Sequence, residues 1–319
     1  MDCCYIENIL SKKGRIVKIK PKDLCYCQSG KRYKDCHMVR DSYKPDKRLN
    51  YDKNKYINEW KKDSDYFLEQ GYYNWMANCL FEKINPEIVL DIGCGNGNGI
   101  IELLKNENIK KIISIEENEF CIDLASKKIE TEGICVKKII RNNPTFIKGE
   151  VYVNQYSEIK EFELSKVNII QGDILYDEII KQYIKNKKFD AVICWLLGTH
   201  ESTQSNLEYI NAGVKDNKDL RLSVQNCIYE LSDIILKENG FLQIVDRGEI
   251  PYNEEIREQY LSCHKEQASV TSLKIIEDLK FLEYNPIDNG IRMIKSSFDP
   301  QERKSASKGT AFISVLSKK

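Results

Sequence analysis

Three cysteines and a histidine near the start of the chain are arranged as metal ligands. Cys25, Cys27, Cys36 and His37 form the pattern C-x-C-x8-C-H. Structural zinc takes four nitrogen or sulfur donors at the corners of a tetrahedron, and two turns that each supply two donors complete that set. Because protein atoms fill all four positions, none remains open for a catalytic water. The spacing therefore predicts a structural zinc site.

The segment around these ligands resembles the SEC-C motif, a zinc-binding module written C-x-C-G-S-G-x-x-Y-x-x-C followed by Cys or His. The matching positions are Cys25, Cys27, Ser29, Gly30, Tyr33, Cys36 and His37. The sequence departs from the motif at Gln28, where Gly is common, and at Tyr26, where Pro is frequent. Neither departure removes a ligand. The resemblance implies a module that docks onto protein or ribosomal partners.

The charge of the chain is distributed unevenly. Lys and Arg balance Asp and Glu at 49 each, but residues 1–60 hold 15 basic residues against 8 acidic ones. A basic head on an acidic body favours an anionic partner. The alternative is a solvated, lysine-rich terminus without a partner.

Three features of the sequence predict a cytoplasmic protein. No apolar run approaches the roughly 20 residues that a membrane span needs. The first residues lack the basic and apolar regions of a secretory signal. The 12 cysteines lie largely in apolar segments, as expected of free thiols in a reducing compartment.

A second chemical pattern follows the apolar run at residues 88–90. The sequence IVLDIGCGNGNG predicts a buried parallel strand, an acid at Asp91 and a glycine-rich turn that leads into a helix. Such a turn lets a nucleotide approach the backbone. The G-x-G-x-x-G spacing of dinucleotide sites fails, because its third glycine falls on Asn98 or Ile100. A carboxylate at the turn repels a pyrophosphate but attracts a cationic ligand.

The pattern acid-x-G-x-G-x-G resembles motif I of the class I S-adenosylmethionine-dependent methyltransferases. The resemblance implies a doubly wound α/β fold with a seven-stranded, Rossmann-like sheet. In that family Asp91 would support the amino-acid end of S-adenosylmethionine, Glu116 the ribose hydroxyls and Asp173 the adenine amino group. Taken singly, each acid also fits a helix N-cap. The candidate cofactor-binding residues are Asp91, Gly93, Cys94, Gly95, Gly97, Glu116, Glu117, Asp173, Ile174 and Cys194.

Apolar runs predict the remaining strands in the order that this family requires. They begin at Lys111, Val167 and Asp190, and a fifth strand follows a Glu-Asn-Gly turn and ends at Asp246. FLEYNPI and GTAFISVLSK fit an antiparallel closing pair. A hairpin insertion is expected at about residues 138–165. The predicted domains are a finger at 1–50 and a methyltransferase domain at 51–319, joined by the charged linker SYKPDKRLNYDKNK.

The segment after the fourth strand faces the methyl acceptor in this family. Here it reads CWLLGTHEST. Trp195 is a candidate wall for the acceptor or a packing residue, and His200 is a candidate base or a loop histidine. The segment lacks both the Asn/Asp-Pro-Pro-aromatic motif of many amino-methylating enzymes and a Pro-Cys pair. These absences disfavour methylation of DNA bases.

Upstream of the first strand, four aromatic residues either roof the cofactor site or pack a helix on the sheet. They are Tyr66, Tyr72, Tyr73 and Trp75. The expected function is S-adenosylmethionine-dependent methyl transfer to a protein or ribonucleoprotein that the zinc finger recruits. The alternatives are a small-molecule methyltransferase and a non-catalytic module that keeps the fold.

Overall fold

A computed structural model describes residues 19–26, 30–147, 151–160, 165–287 and 309–319. The chain divides into two compact units, Met1–Tyr51 and Asp52–Lys319. Of the predicted finger positions, Cys27, Gln28 and Ser29 lie outside the described residues. So does the Lys148-Gly149 turn of the predicted hairpin.

The smaller unit is built around a tight reversal of the chain. A β-bridge joins Leu24 to Arg32, and the Cys25 amide donates to the Lys31 carbonyl at 2.9 Å. A 3-10 turn, Tyr33–Asp35, and a short helix, α1 (Met38–Asp41), follow. The reversal brings the two ends of the cysteine/histidine pattern together.

The charged segment predicted to join the two domains is helical from Pro45 onward. Helix α2 runs from Pro45 to Glu69. Proline is well tolerated at the first helical position, because its missing amide has no partner there in any helix. The rest of the segment contains neither glycine nor a second proline. The segment that contains the boundary between the two units is therefore continuous with a long helix.

The larger unit is a doubly wound α/β domain, as the sequence predicted. Its further helices are α3 (Tyr72–Phe81), α4 (Asn98–Leu103), α5 (Glu119–Thr131), α6 (Glu178–Lys185), α7 (Leu207–Asn211), α8 (Asn217–Ile235) and α9 (Glu254–Ala268). Its strands are β1 (Ile88–Ile92), β2 (Lys111–Glu116), β3 (Val136–Ile139), β4 (Thr145–Ile147), β5 (Val151–Val153), β6 (Val167–Gln171), β7 (Phe189–Trp195), β8 (Leu236–Glu249), β9 (Lys274–Ile275), β10 (Lys280–Tyr284) and β11 (Thr310–Lys318).

The main sheet has the order β3-β6-β2-β1-β7-β8-β11-β10, with β9 also paired to β11. β11 is antiparallel to its neighbours. Adjacent strands in the part β3-β6-β2-β1-β7-β8 of this order are parallel. The main sheet therefore has nine strands among the described residues, where seven were predicted. The two additional ones, β3 and β9, are short strands outside the seven-strand path. They lack the long apolar runs that identified the others.

The fifth predicted strand differs in detail from the expectation. A turn was predicted at Glu238-Asn239-Gly240, but β8 continues through these residues. Phe189 pairs with Leu236 while Ala191 pairs with Phe241, so the additional residues form a bulge. Asn239 takes φ +64°, a conformation that asparagine tolerates better than most residues. The turn residues are thus absorbed into the strand.

Apolar residues from the parallel strands fill two cores, one on each face of the sheet. In β1, Val89 enters one core and its neighbour Leu90 enters the other. Ile112 and Ile113 of β2 divide in the same way. Helices α3 and α5 cover the first core and α6 and α8 the second. Burial on both faces explains the continuous apolar runs in the sequence.

The predicted insertion contains a separate antiparallel pair, β4 and β5. A buried ion pair lies at its base: Arg141 Nη1 is 2.6 Å from Asp177 Oδ2, and both side chains are 1% exposed. Arg141 Nε also donates to the Ser157 carbonyl at 2.8 Å. This one guanidinium therefore joins both ends of the insertion to the start of α6.

No helix among the described residues combines the length and the apolar character that crossing a membrane requires.

We expect Arg141→Ala to lower the free energy of unfolding by about 3–5 kcal/mol, because it leaves Asp177 buried and without its cation. Urea denaturation measures the change. Lys138→Ala is the matched control, since Lys138 pairs with Asp123 at an exposed position and should contribute less than about 1 kcal/mol. Equal losses in the two variants would contradict this account of the insertion.

Candidate functional site

The carboxyl ends of β1, β2, β6 and β7 open into one cleft of about 1080 Å³. Parallel strands bring their carboxyl ends to the same edge of a sheet, which is where ligands bind in open α/β folds. Most of the predicted cofactor residues and both candidate catalytic residues line it. These are Asp91, Gly93, Cys94, Gly95, Glu116, Glu117, Asp173, Ile174, Trp195 and His200.

Three acids in the cleft are held by neutral donors only. Ser114 Oγ donates to Asp91 at 3.0 Å, and the amides of Gly95 and Asn118 donate to Glu116 at 3.1 and 3.0 Å. Asp173 accepts from the Tyr209 hydroxyl at 2.7 Å and from a backbone amide. Within the described part of the chain, no lysine or arginine forms an ion pair with any of the three.

Burial without a cation changes how these acids ionise. Burial raises the pKa of Asp91 to about 7, against the smaller opposing effect of Ser114. It raises the pKa of Glu116 to about 7 and that of Asp173 to about 6, although hydrogen bonds oppose the change. A cationic or hydrogen-bond-donating ligand in the cleft would stabilise the ionised forms of these acids.

The glycine-rich turn bends through left-handed conformations that favour glycine. Gly95 has φ +53°, and a Cβ there would lie 2.6 Å from Trp60 Nε1. Gly97 has φ +86° and packs against Ala125 of α5. Gly97 is absent from the cleft lining, so its part is to pack the turn against α5.

Two asparagines tie the same turn to helix α2. Asn96 Oδ1 accepts from Ser64 Oγ at 2.6 Å, and its amide donates to Asp65 at 3.0 Å. The Asn98 amide also donates to both Ser64 and Asp65, and Lys128 Nζ donates to Asp65 at 2.7 Å. Both asparagines are about 1% exposed or less. This polar network holds α2 over the turn.

Glu117 is held by other side chains of the cleft. Lys53 Nζ lies 3.0 Å from Glu117 Oε1, and His200 Nε2 lies 3.1 Å from Glu117 Oε2. Lys53 also contacts Glu119 at 2.8 Å and is 1% exposed. The Glu117 carboxylate, which was predicted to contact the cofactor, is therefore paired with Lys53 and His200.

Trp195 and Cys194 differ in their positions. Trp195 lines the cleft, and its Nε1 donates to Gln243 at 3.0 Å, which fixes the ring. Cys194 belongs to the apolar core on the other face of the sheet and is absent from the cleft lining. Consecutive strand residues point to opposite faces, so Cys194 lies on the face of the sheet away from Trp195.

Several cleft residues were not identified from the sequence. They are Tyr56, Trp60, Tyr152 and Tyr209, together with the Lys53 partner of Glu117. The spacing of Lys53, Tyr56 and Trp60 in the sequence places them on one face of a helix, so the sequence alone could have indicated that they lie together. Tyr73 lines the cleft, whereas Tyr66, Tyr72 and Trp75 pack on the first core.

In the smaller unit, three predicted metal ligands come together. His37 Nδ1 lies 3.1 Å from Cys25 Sγ and 3.2 Å from Cys36 Sγ, and the three donor atoms are within 4.8 Å of one another. The bond lengths of tetrahedral zinc imply donor separations of about 3.5–3.8 Å, so the cluster suits that ion after a small adjustment. The Tyr26 ring packs on His37 with centroids 4.8 Å apart. The unusual residue between the first two cysteines thus supports a ligand.

Residues 22–38 match the SEC-C motif model. The chain carries a SEC-C motif. Over 82 residues it is 34% identical to a protein-lysine N-methyltransferase of Saccharolobus islandicus (strain REY15A). That match covers 26% of this chain and 49% of the relative, so the chain spans about half the length of the curated relative it matches.

Solved structures of methyltransferases also resemble the chain. The methyltransferase domain of bacterial CtHen1-CN is 12% identical, with 78% of this chain and 98% of that domain covered and a TM-score of 0.40. N-methyltransferase NodS from Bradyrhizobium japonicum WM9, in complex with S-adenosyl-L-homocysteine, is 9% identical, with 79% and 87% covered and a TM-score of 0.40. Similarity at this level does not assign a function. The strand order itself agrees with the Rossmann-like methyltransferase fold predicted from the sequence.

We expect Gly95→Ala to lower the free energy of unfolding by more than Gly133→Ala does. Both glycines have positive φ, which costs an alanine about 1–2 kcal/mol, but only Gly95 has a side chain where the new methyl group would lie. Urea denaturation followed by tryptophan fluorescence measures the loss and reports on Trp60. If the two variants lose equal stability, Trp60 does not pack on the turn as described.

Proposed function

We propose that the larger unit binds S-adenosylmethionine and transfers its methyl group to an acceptor. The observation that carries this proposal is that three acids at neighbouring strand ends, the buried Asp91 and Asp173 and the partly buried Glu116, have no basic partner among the described residues. Such an arrangement is costly for a protein unless a ligand supplies positive charge and hydrogen-bond donors. The glycine-rich turn beside Asp91 supplies room for that ligand.

The three acids match three parts of the proposed cofactor. Asp91 would face the cationic amino-acid end, because it lies at the glycine turn. Glu116 would accept from the ribose hydroxyls through oxygen atoms that the Gly95 and Asn118 amides already orient. Asp173, oriented by Tyr209, would accept from the adenine amino group, with Ile174 against the ring.

When bound, S-adenosylmethionine supplies an activated methyl group, so the protein mainly has to position the acceptor. Trp195 is fixed by Gln243 at the edge of the cleft and provides a flat apolar wall. Tyr56 and Trp60 cover the cleft from α2. Their rings exclude water from the site and leave limited space for the reacting groups.

The SEC-C motif supports a macromolecular acceptor. Cys25, Cys36 and His37 would hold a structural zinc ion together with Cys27. The exposed apolar side chains in this part of the chain include Leu24 by 72%, Tyr26 by 48% and Val39 by 46%. Exposed apolar side chains among basic residues suit a protein or ribonucleoprotein partner.

The curated relative supports a protein substrate in particular, because its name specifies protein lysine. We therefore propose a methyltransferase that modifies a protein, or a protein within a ribonucleoprotein, recruited through the zinc-binding module. Methylation of a small molecule, and a fold kept only for binding, are outcomes of the experiments below.

S-adenosylmethionine should bind at least about tenfold more tightly at pH 8 than at pH 6, with Asp91 alone accounting for a factor of about ten and Glu116 adding to it. Asp91 has a pKa of about 7 in the free protein, so it is mostly protonated at pH 6, and the cofactor prefers the ionised form. Titration calorimetry at the two pH values measures the ratio. Asp91→Asn should weaken binding and reduce its pH dependence to the part that Glu116 contributes, whereas the exposed Asp123→Asn should change neither. Absence of binding by the unmodified protein would refute the proposed function.

Cys36→Ser should lower the zinc content well below the expected one ion per chain, while leaving cofactor affinity unchanged. Elemental analysis measures the zinc, and Cys135→Ser, at an exposed site outside the cluster, is the control. With tritiated methyl donor and a cell lysate, the unmodified protein should label protein, and Cys36→Ser should not. Label found in small molecules for both variants would support the small-molecule alternative and refute recruitment through the finger.

A further inference from the structure

A line of three side chains, Lys53, Glu117 and His200, closes one end of the cleft. Glu117 lies between Lys53 Nζ at 3.0 Å and His200 Nε2 at 3.1 Å. The three side chains come from α2, from the residue after β2 and from the segment after β7. Lys53 is 1% exposed and His200 4%. Lys53 and His200 are therefore buried, whereas the Glu117 side chain between them is 23% exposed, and the line joins three separate elements.

The same three elements are joined a second time beside this line. Ser202, two residues after His200, donates through its Oγ to Asp52, which is one residue before Lys53. The Asn118 amide donates to the Lys53 carbonyl at 3.1 Å. These two contacts fix the position of the His200 ring with respect to Glu117.

The neighbours of Glu117 determine which ring nitrogen carries hydrogen. Although burial raises the pKa of Glu117, Lys53 and then His200 hold it well below its usual range. An ionised carboxylate only accepts hydrogen bonds, so His200 Nε2 carries the hydrogen and donates it. In a neutral imidazole the other nitrogen, Nδ1, then presents a lone pair.

His200 Nδ1 is buried and has no hydrogen-bond partner in the described part of the chain. A buried acceptor without a donor is unfavourable by about 1–3 kcal/mol. Because His200 lines the cleft, a group bound there can supply the donor. Asp91, Glu116 and Asp173 only accept hydrogen bonds when they are ionised, so they do not supply the donor that His200 Nδ1 lacks.

We propose that His200, through Nδ1, accepts a proton from a primary amine that enters the cleft as its ammonium, while Glu117 and Lys53 position the imidazole. This proposal rests on the proposed function and names its acceptor class. His200 is then a catalytic residue, and Glu117 and Lys53 are positioning residues.

The reaction balances as follows. The acceptor ammonium gives one proton to Nδ1 and becomes a neutral amine with a lone pair. That lone pair forms the bond to the methyl carbon as the carbon–sulfur bond breaks, and the electron pair of the broken bond remains on sulfur. The positive charge passes from sulfur to the methylated nitrogen. The imidazolium beside Glu117 later returns its proton to water.

The charges around His200 suit this proton transfer. Glu117 is the nearest carboxylate and stabilises the imidazolium once it forms, while Lys53 keeps Glu117 ionised. Glu119 shares Lys53, so the local group holds two carboxylates and one ammonium before the proton arrives. The transferred proton therefore neutralises the remaining negative charge.

The test uses the full chain, S-adenosylmethionine and poly-L-lysine as the amine acceptor. We expect His200→Ala and His200→Gln to lower kcat by about a hundredfold or more, as loss of a general base does. Cofactor Kd should stay within about twofold in both. Imidazole added to His200→Ala should restore part of kcat. Glu117→Gln should also lower kcat at unchanged cofactor Kd, because an amide does not fix the tautomer.

His264→Gln is the matched control. His264 is also buried, but it bonds Tyr229 and does not line the cleft. Its kcat should be unchanged, and imidazole should have no effect on it. Circular dichroism identifies any variant that fails to fold, and the alanine and glutamine variants provide two independent substitutions of His200.

Three results would overturn the proposal. The first is an equal loss of cofactor affinity and of kcat/KM in both His200→Ala and His200→Gln, which would make His200 a cofactor contact. The second is a failure of imidazole to restore kcat in a folded His200→Ala protein. The third is poly-L-lysine that stays unmethylated by a protein that binds S-adenosylmethionine, which removes the amine acceptor but leaves the proposed function intact. Failure to bind S-adenosylmethionine at all would instead refute the proposed function itself.

Discussion

Asp91, Glu116 and Asp173 are withdrawn from water without a cation among the described residues, and the rest of the cleft depends on this constraint. Asp91 lies near the end of β1, Glu116 ends β2 and Asp173 follows β6, so the parallel sheet brings all three to one edge. Their raised pKa values show that the free protein does not compensate their charge. A protein gains nothing in stability from such an arrangement. The arrangement of the three acids instead suits the binding of a ligand that carries positive charge and hydrogen-bond donors.

Helix α2 gives this site its shape. Its polar residues Ser64 and Asp65 hold the asparagines of the glycine turn, and its aromatic residues cover the cleft. Lys53, near the start of the larger unit, ties the same helix to Glu117. Substituting the polar network would therefore disturb both the turn that meets the cofactor and the wall that excludes water. One helix links cofactor binding with the placement of Glu117 and His200.

The sequence was sufficient to predict the parallel strands, because burial on both faces produces long apolar runs such as Ile88–Leu90. It also placed the three acids, since a residue at the end of a strand keeps its position whatever the loops do. It failed for α2, where polar residues outnumber apolar ones and only the spacing of Lys53, Tyr56 and Trp60 indicates a helix. It could not assign Glu117, because both of its partners are distant in sequence and only the folded chain brings them together.

Counting the protons that are exchanged when S-adenosylmethionine binds tests the central claim most directly. Calorimetry near pH 7 in two buffers of different ionisation enthalpy gives that number. If buried acids of raised pKa hold the cofactor, binding must favour their ionised forms, and protons are released to the buffer. Binding with no proton exchange, or with proton uptake, would show that these acids do not carry the recognition.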